Sequence, residues 1–314
     1  MKLKFLIIPC FFLAFIFSGE KHGKSSHTIA HQEKEPISII ENLGRLSEHL
    51  GLPLNAASHG LQIDYMIGWV HWLMLFLFVG WGIYLVIVIF KFNSKRNPKA
   101  DYIGVQSHYS QYVEYGVIIF EAFLLIGLSI PLYAQLKTNL PKDNVHHVRV
   151  IAQQFAWNIH YPGPDGKFGN TNIDLVDEES NPIGLDRNSI NGADDIVSIN
   201  QMHLPVNKQV MIHLSSKDVI HSFGIPEMRI KQDAIPGMTI PFFFTPTMTS
   251  KEFLEKIKGS EREGMGFEIA CAQLCGNSHY RMKGYVTIET EAEYAAWLVE
   301  QAEYLDEDDD EDDW

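Results

Sequence analysis

Two long apolar runs restrict this chain more than any other feature. The first extends from Tyr65 to Phe92 and the second from about Tyr112 to Leu136. Each supplies roughly 25 mostly apolar residues, enough to cross ~30 Å of hydrocarbon as a modestly tilted helix. Tyr65, Trp69 and Trp72 cluster at the start of the first run, where an aromatic belt belongs. Lys91, Lys95, Arg96 and Lys99 follow it, so the positive-inside rule places residues 91–112 in the cytoplasm. The pair predicts a helical hairpin over 63–140 that returns the chain to the outside. Residues 1–19 read as an export signal: Lys2 and Lys4 precede a run from Phe5 to Phe17 that is too short for a comfortable span. Ser18-Gly19 makes a poor cleavage site, which leaves an uncleaved anchor as the alternative, and Cys10 inside the run reads as apolar filler. Residues 20–62 are then an exported N-terminal segment.

Two carboxylates fall on the second run. Glu114 lies at its cytoplasmic mouth and Glu121 about two turns deeper. Ionisable groups at membrane depth are costly and mark function by default. The structural alternatives are an interfacial charge for Glu114 and a protonated helix–helix contact for Glu121. His71 in the first run reads as a packing residue.

The remainder of the chain is polar and of another kind. Short runs rich in Val, Ile, Phe and Tyr alternate with Pro, Gly, Asn and Asp clusters from residue 145 onward. Strands are predicted at Val148–Tyr161, Asp195–Asn200, Gln209–Ser215, Val219–Phe223, Thr239–Thr245, Gly266–Ala270 and Gly284–Glu289. Such spacing predicts a β-sandwich or small barrel over 141–305. Asp165–Asp195 reads as a long surface loop. A helical insertion is predicted over 246–265, with Phe253, Leu254 and Ile257 at helical spacing. An amphipathic helix is predicted over 291–305, burying Tyr294, Leu298 and Leu305. Residues 306–314 form an acidic tail of the kind that is solvated and disordered. The whole chain carries 39 acidic against 25 basic residues, a net charge of −14, which argues against a nucleic-acid partner. Three cysteines are too few for a disulfide framework.

The strongest local signal is the segment Cys271-Ala-Gln-Leu-Cys275-Gly-Asn-Ser-His279-Tyr-Arg-Met282. Two thiols, an imidazole and a thioether share one loop between predicted strands. Soft sulfur with imidazole suits copper, or zinc in a closed tetrahedral site. Zinc would call for a second Cys or His pair, and thioether is a poor zinc ligand. A redox dithiol usually spaces its cysteines by two residues rather than three. A copper site needs a second, distant imidazole, and His221 in Asp218-Val-Ile-His221-Ser-Phe-Gly-Ile-Pro226 is the best placed.

These motifs, with Lys231-Gln-Asp233-Ala-Ile-Pro-Gly237 and a second span holding Glu114 and Pro131, resemble cytochrome c oxidase subunit II over roughly residues 60–300. The resemblance implies a membrane-anchored all-β protein: a two-helix transmembrane hairpin followed by a cupredoxin-like Greek-key β-sandwich. It implies two copper ions in a mixed-valence CuA centre, bridged by Cys271 and Cys275. His221 and His279 would each bind one ion, with Met282 and the carbonyl of Gln273 as weak axial ligands. The implied function is electron transfer from a c-type cytochrome to haem in oxidase subunit I, where oxygen is reduced. Subunit III, membrane lipid and a bacterial inner membrane with the copper domain on the periplasmic face complete that setting. The chain has no Cys-x-x-Cys-His motif, so a fused cytochrome domain is not expected.

The departures from the family are specific. Gln273 stands where a Glu usually helps bind magnesium against subunit I, so that magnesium site is expected to be weak or absent. Phe155 stands where a Trp normally receives the electron, while Trp157 keeps the second Trp; sandwich-core packing is the alternative for both. Glu121 replaces a proline, whereas Glu114 matches a carboxylate near one proton pathway. Asp174, Asp177, Glu178 and Glu179 could steer a basic cytochrome. A copper-free quinol-oxidase relative and a membrane-tethered copper chaperone are the competing classes. All five side-chain ligands stand against the first, and a second His with Met282 closing the site against the second.

Overall fold

In the computed structural model, the described residues are 46, 49–99, 102–104, 106–138, 140–141 and 144–311, with side chains described up to residue 303. The predicted signal, most of the N-terminal segment and the last three residues lie outside them. Helix α1 (Gly60–Lys91) is about 48 Å long at 1.5 Å per residue and more than spans a hydrocarbon core. The second apolar helix, Tyr109–Thr138, consists of α2 (Tyr109–Ala122), a π-helical stretch at Phe123–Ser129 and α3 (Ile130–Thr138). The π-helical turn has a local cause. Pro131 has no N–H to offer, and the Ile130 N–H bonds back to Leu125 five residues earlier. Tyr65 and Trp69, predicted as belt residues, line the cleft between the helices opposite Leu128, Pro131 and Leu132.

Among the described residues, ten strands build two five-stranded sheets. They are β1 (Val145–Gln153), β2 (Ala156–Tyr161), β3 (Ile196–Ile199), β4 (Gln201–Pro205), β5 (Gln209–Ser216), β6 (His221–Ile225), β7 (Ile230–Ala234), β8 (Ile240–Phe244), β9 (Phe267–Cys271) and β10 (Lys283–Glu289). One sheet runs β3-β2-β1-β5-β8 and the other β4-β10-β9-β6-β7. Parallel pairs β1/β5 and β4/β10 sit among antiparallel neighbours, so the chain crosses over between those strands instead of turning straight back as a hairpin. Alternation drives the packing: Val148, Val150 and Ala152 of β1 are fully buried beside Ile212 and Leu214 of β5, in one core with Phe223 and Ile269 of the other sheet. This is the cupredoxin-like sandwich the sequence predicts.

The chain differs from expectation where turns are tight. The single strand predicted at Val148–Tyr161 is a hairpin, β1 and β2, reversing at Gln154-Phe155. Strands β3 and β4 are continuous in sequence but belong to different sheets. Asn200 makes the switch in left-handed conformation at φ 58°, and its Oδ1 accepts from the Trp157 N–H at 2.8 Å. Strands β4 and β7 were hidden by their polar composition. In the insertion, helix α4 (Ser250–Lys256) starts from a Thr249–Glu252 capping box and buries Phe253; Ile257 beyond it is buried too, but Leu254 is exposed. Helix α5 runs from Glu291 to Glu311, into the predicted acidic tail, and packs Tyr294, Trp297 and Leu298 on the sandwich.

Two segments read as peripheral are integral. Ala56 and Ala57 sit in the core, held by the bonds Ala56 N–H to Glu227 carbonyl and Thr247 N–H to Ala56 carbonyl. The loop from 162 to 195 is pinned by Asp195, wholly buried against His160 at 2.5 Å and accepting the N–H groups of Gly163 and Gly169.

Burial holds the pKa of His160, His213, His146 and His59 below the ordinary 6.5. The unfolded chain therefore binds more protons than the folded one below that pH, and stability is full above 6.5 and declines on acidification. The thermal midpoint of the purified protein is expected to drop between pH 7.5 and 5.5, and H160N/H213N to flatten that drop; a flat wild-type profile would contradict it.

Candidate metal centre

Strand β9 delivers Cys271 at its last residue and β10 takes over just after Met282, so the intervening loop projects from one end of the sandwich. The loop is closed at its neck by the Cys271 N–H on the Met282 carbonyl at 3.2 Å and the Ala272 N–H on the Ser222 carbonyl at 2.9 Å. Gly276 turns the chain at φ 134°, against the β1–β2 turn, where a Cβ would lie 2.7 Å from Gln154 Nε2 and 3.1 Å from Phe155 Cζ. Only glycine meets both conditions.

The side chains form a continuous row. Cys271 Sγ is 3.8 Å from Cys275 Sγ, 3.9 Å from His221 Nδ1 and 3.2 Å from the Gln273 carbonyl oxygen. Cys275 Sγ in turn is 3.6 Å from His279 Nδ1 and 3.7 Å from Met282 Sδ. His221, Cys271 and Cys275 present three ligand atoms within 4.8 Å of one another, a group able to hold a metal ion. His221 opens β6 and is fully buried.

Asp218 decides which imidazole nitrogen of His221 is available. Its carboxylate lies 2.8 Å from Nε2 and can only accept, so Nε2 carries a hydrogen and Nδ1, which faces Cys271, is the nitrogen left to bind a metal. Asp218 is itself held by the Gln154 N–H at 2.6 Å, and Gln154 Nε2 donates to the Cys275 carbonyl at 2.6 Å. Asp218 and Gln154 carry no role in the sequence analysis. A carboxylate three residues before a metal-binding histidine was the available signal for Asp218; no sequence signal marks Gln154. The donor chemistry, soft sulfur flanked by oriented imidazole, fits copper.

The thiols are unequal in the metal-free chain. Burial opposes ionisation of Cys271, but hydrogen bonds from His221 and from the backbone at Ser222 and Gln273 outweigh it and bring its pKa down to about 6. Burial and the neighbouring Cys271 push Cys275 up to about 11. The same contact works in reverse on His221: burial resists its protonation, and Cys271 and Asp218 together raise its pKa above the usual value.

The other predicted residues divide. Trp157 is fully buried, edge-on to His221 at 6.2 Å and to Phe223 at 5.5 Å, whereas Phe155 is half-buried beside Gly276. Asp174, Asp177, Glu178 and Glu179 are exposed on the 162–195 loop. Lys217 ties Glu178 (2.9 Å) to Gln153 Oε1 (3.2 Å), so this acidic group flanks the β1–β2 turn. Glu114 and Glu121 are exposed on α2, remote in sequence and structure from the loop.

Alkylation of the copper-free chain is expected to show a thiol ionising near pH 6, lost in Cys271→Ser; a single step at pH 8–9 would contradict this geometry.

The family model for "Cytochrome C oxidase subunit II, periplasmic domain" matches residues 146–289, which span both sheets and the thiol loop. The alternative cytochrome c oxidase subunit 2 of Bradyrhizobium diazoefficiens is 32% identical over 270 residues, covering 84% of this chain and 90% of the relative. Cytochrome c oxidase subunit 2 of Cereibacter sphaeroides is 26% identical over 296 residues, covering 89% of this chain and 88% of the relative. The crystal structure of the periplasmic domain of cytochrome oxidase subunit II from Bradyrhizobium japonicum is 27% identical, with a TM-score of 0.35, and covers 52% of this chain and 98% of that one. The likeness to both relatives extends over more than four fifths of this chain, and at 32% identity over nine tenths of the first relative the chain belongs to the cytochrome c oxidase subunit II family.

Proposed function

We propose that this chain is the electron-receiving subunit of a proton-pumping terminal oxidase, holding two copper ions between Cys271 and Cys275. His221 and His279 would hold the ions together with the two thiols, and the Met282 thioether and the Gln273 carbonyl would be further donors. The observation that carries this reading is the row of donors, with an imidazole at each end of a thiol pair. Bound copper would supply one-electron redox chemistry, suited to relaying electrons from a c-type cytochrome to haem in subunit I, where oxygen would be reduced.

The chain's own residues supply rigidity and access. Electron transfer is fast where bond lengths change little, and the closed neck and the Asp218–His221–Gln154 bonds hold the donors in place. Trp157 and Phe223 wall the site from below and exclude water. Phe155, the one of the two predicted aromatics that reaches the surface, offers a ring beside the loop. Asp174, Asp177, Glu178 and Glu179 set a negative field next to it that would steer a basic cytochrome. Glu114 is the carboxylate suited to a proton path shared with subunit I. Gln273 directs a neutral amide where a carboxylate would hold magnesium, so this chain provides no charge for that ion. The apolar helices suit anchorage in lipid, with subunits I and III as neighbours, in the bacterial inner membrane with the sandwich on the periplasmic face.

Metal analysis of the purified oxidase is expected to return two coppers assignable to this chain and no magnesium retained through Gln273. The matching spectrum is purple with near-infrared absorption and a seven-line spin resonance, lost in H279N. One copper, colourless and readily removed by a mild chelator, would instead indicate a chaperone. Association with reduced cytochrome c is expected to slow as salt screens the acidic loop, over a Debye length of about 10 Å at 0.1 M; a salt-independent rate would remove the steering role.

A further inference from the structure

Arg229 occupies the turn between β6 and β7 in left-handed conformation, φ 54°. Its guanidinium forks onto Asp64 of α1, Nε to Oδ1 at 2.6 Å and Nη2 to Oδ2 at 3.0 Å. Nη2 also donates to the Pro53 carbonyl and Nη1 to the Pro226 carbonyl, each at 2.7 Å. The side chains of Arg229 and Asp64 are only 8% and 13% exposed.

A buried ion pair adds little net stability, because desolvation offsets most of its attraction. A two-pronged guanidinium–carboxylate contact is distinctive for fixing distance and angle. This one is placed where distance and angle matter. Strands β6 and β7 pair without interruption from Ile225↔Ile230 to His221↔Ala234, so a short rigid ribbon joins the Arg229 turn to the imidazole of the metal site. On the other side, Asp64 belongs to the first turns of α1, before its long apolar stretch. The second span reaches the same ribbon: Lys137, near the end of α3, contacts Gln232 of β7 and lies over the Phe242 ring at 5.6 Å.

We propose that the Asp64–Arg229 pair is a strut that sets the position of the metal loop relative to the membrane helices, and through them to the haem-bearing partner. This rests on reading the loop as the copper centre of an oxidase subunit. Arg229 and Asp64 are positioning residues: they touch neither the metal donors nor the surface a cytochrome would meet. Their effect falls on the onward electron step, whose rate declines steeply with separation, and not on electron arrival.

The test uses the complete, purified oxidase and follows two rates after mixing or flash reduction: cytochrome c to copper, and copper to haem. Asp64→Asn and Arg229→Gln are expected to keep the wild-type copper spectrum and the cytochrome-to-copper rate. They are expected to slow copper-to-haem transfer by about tenfold, within the roughly 10²-fold that an ångström of misplacement can cost a geometry-controlled step. Arg229→Lys, which retains charge without the fork, is expected to recover only part of that loss, and the exchange D64R/R229D to recover most of it. Unchanged onward transfer in both single variants would overturn the strut, as would equal slowing of both rates or loss of the copper spectrum in these variants. A wild-type enzyme lacking the paired-copper spectrum would instead sink the functional reading itself, before any variant is compared.

Discussion

The closed neck of the Cys271–Met282 loop is the constraint on which the site depends. Two backbone hydrogen bonds, from Cys271 to Met282 and from Ala272 to Ser222, convert a flexible twelve-residue excursion into an extension of the β9–β6 and β9–β10 ladders. Loop residues freed from such a neck would incur the ordering cost at the moment of metal binding. Here that cost is met by folding of the sandwich, whose core of alternating Val, Ile, Leu and Phe stabilises every strand that feeds the loop.

A second layer of polar contacts then orients the donors. Asp218 selects the His221 tautomer, Gln154 bridges Asp218 to the Cys275 carbonyl, and Gly276 lets the loop approach the β1–β2 turn closely enough for that bridge. The same turn is tied through Gln153 and Lys217 to the acidic loop, and that loop is clamped at its base by Asp195 and His160. Surface charge, aromatic access and metal donors are thus linked by short hydrogen-bonded steps rather than by proximity alone. Buried polar groups of this kind cost stability when unpaired, so they recur where geometry has to be held.

The helices and the sandwich likewise form one unit rather than a tether and its load. Ala56 and Ala57 complete the core from a segment that precedes α1, and Arg229 reaches back to Asp64 and Pro53. The 246–265 insertion joins in through Arg262, which pairs with the buried Glu227 in the same turn as Arg229. Two segments distant in sequence, 53–64 and 246–265, therefore converge on the β6–β7 turn.

What could be read from the chain by itself was set by local periodicity and by chemistry concentrated in a short stretch. Two bilayer-length apolar runs become helices because the hydrophobic pattern is uninterrupted, and alternating β-branched residues become β1, β5, β8 and β10 because one face must be buried. Four of the five side-chain donors lie within twelve residues, so their convergence needed no long-range contact to be anticipated. Only the folded chain could decide the remainder. Polar β4 and β7 become strands because neighbouring strands satisfy their backbones, and Asn200 changes sheets by a backbone conformation that its residue type permits but does not demand. The tautomer of His221, the Gln154 bridge and the Asp64–Arg229 fork join groups between 3 and 165 positions apart. Composition leaves no trace of such pairings, because each depends on two surfaces being brought together by a core that neither residue helps to specify.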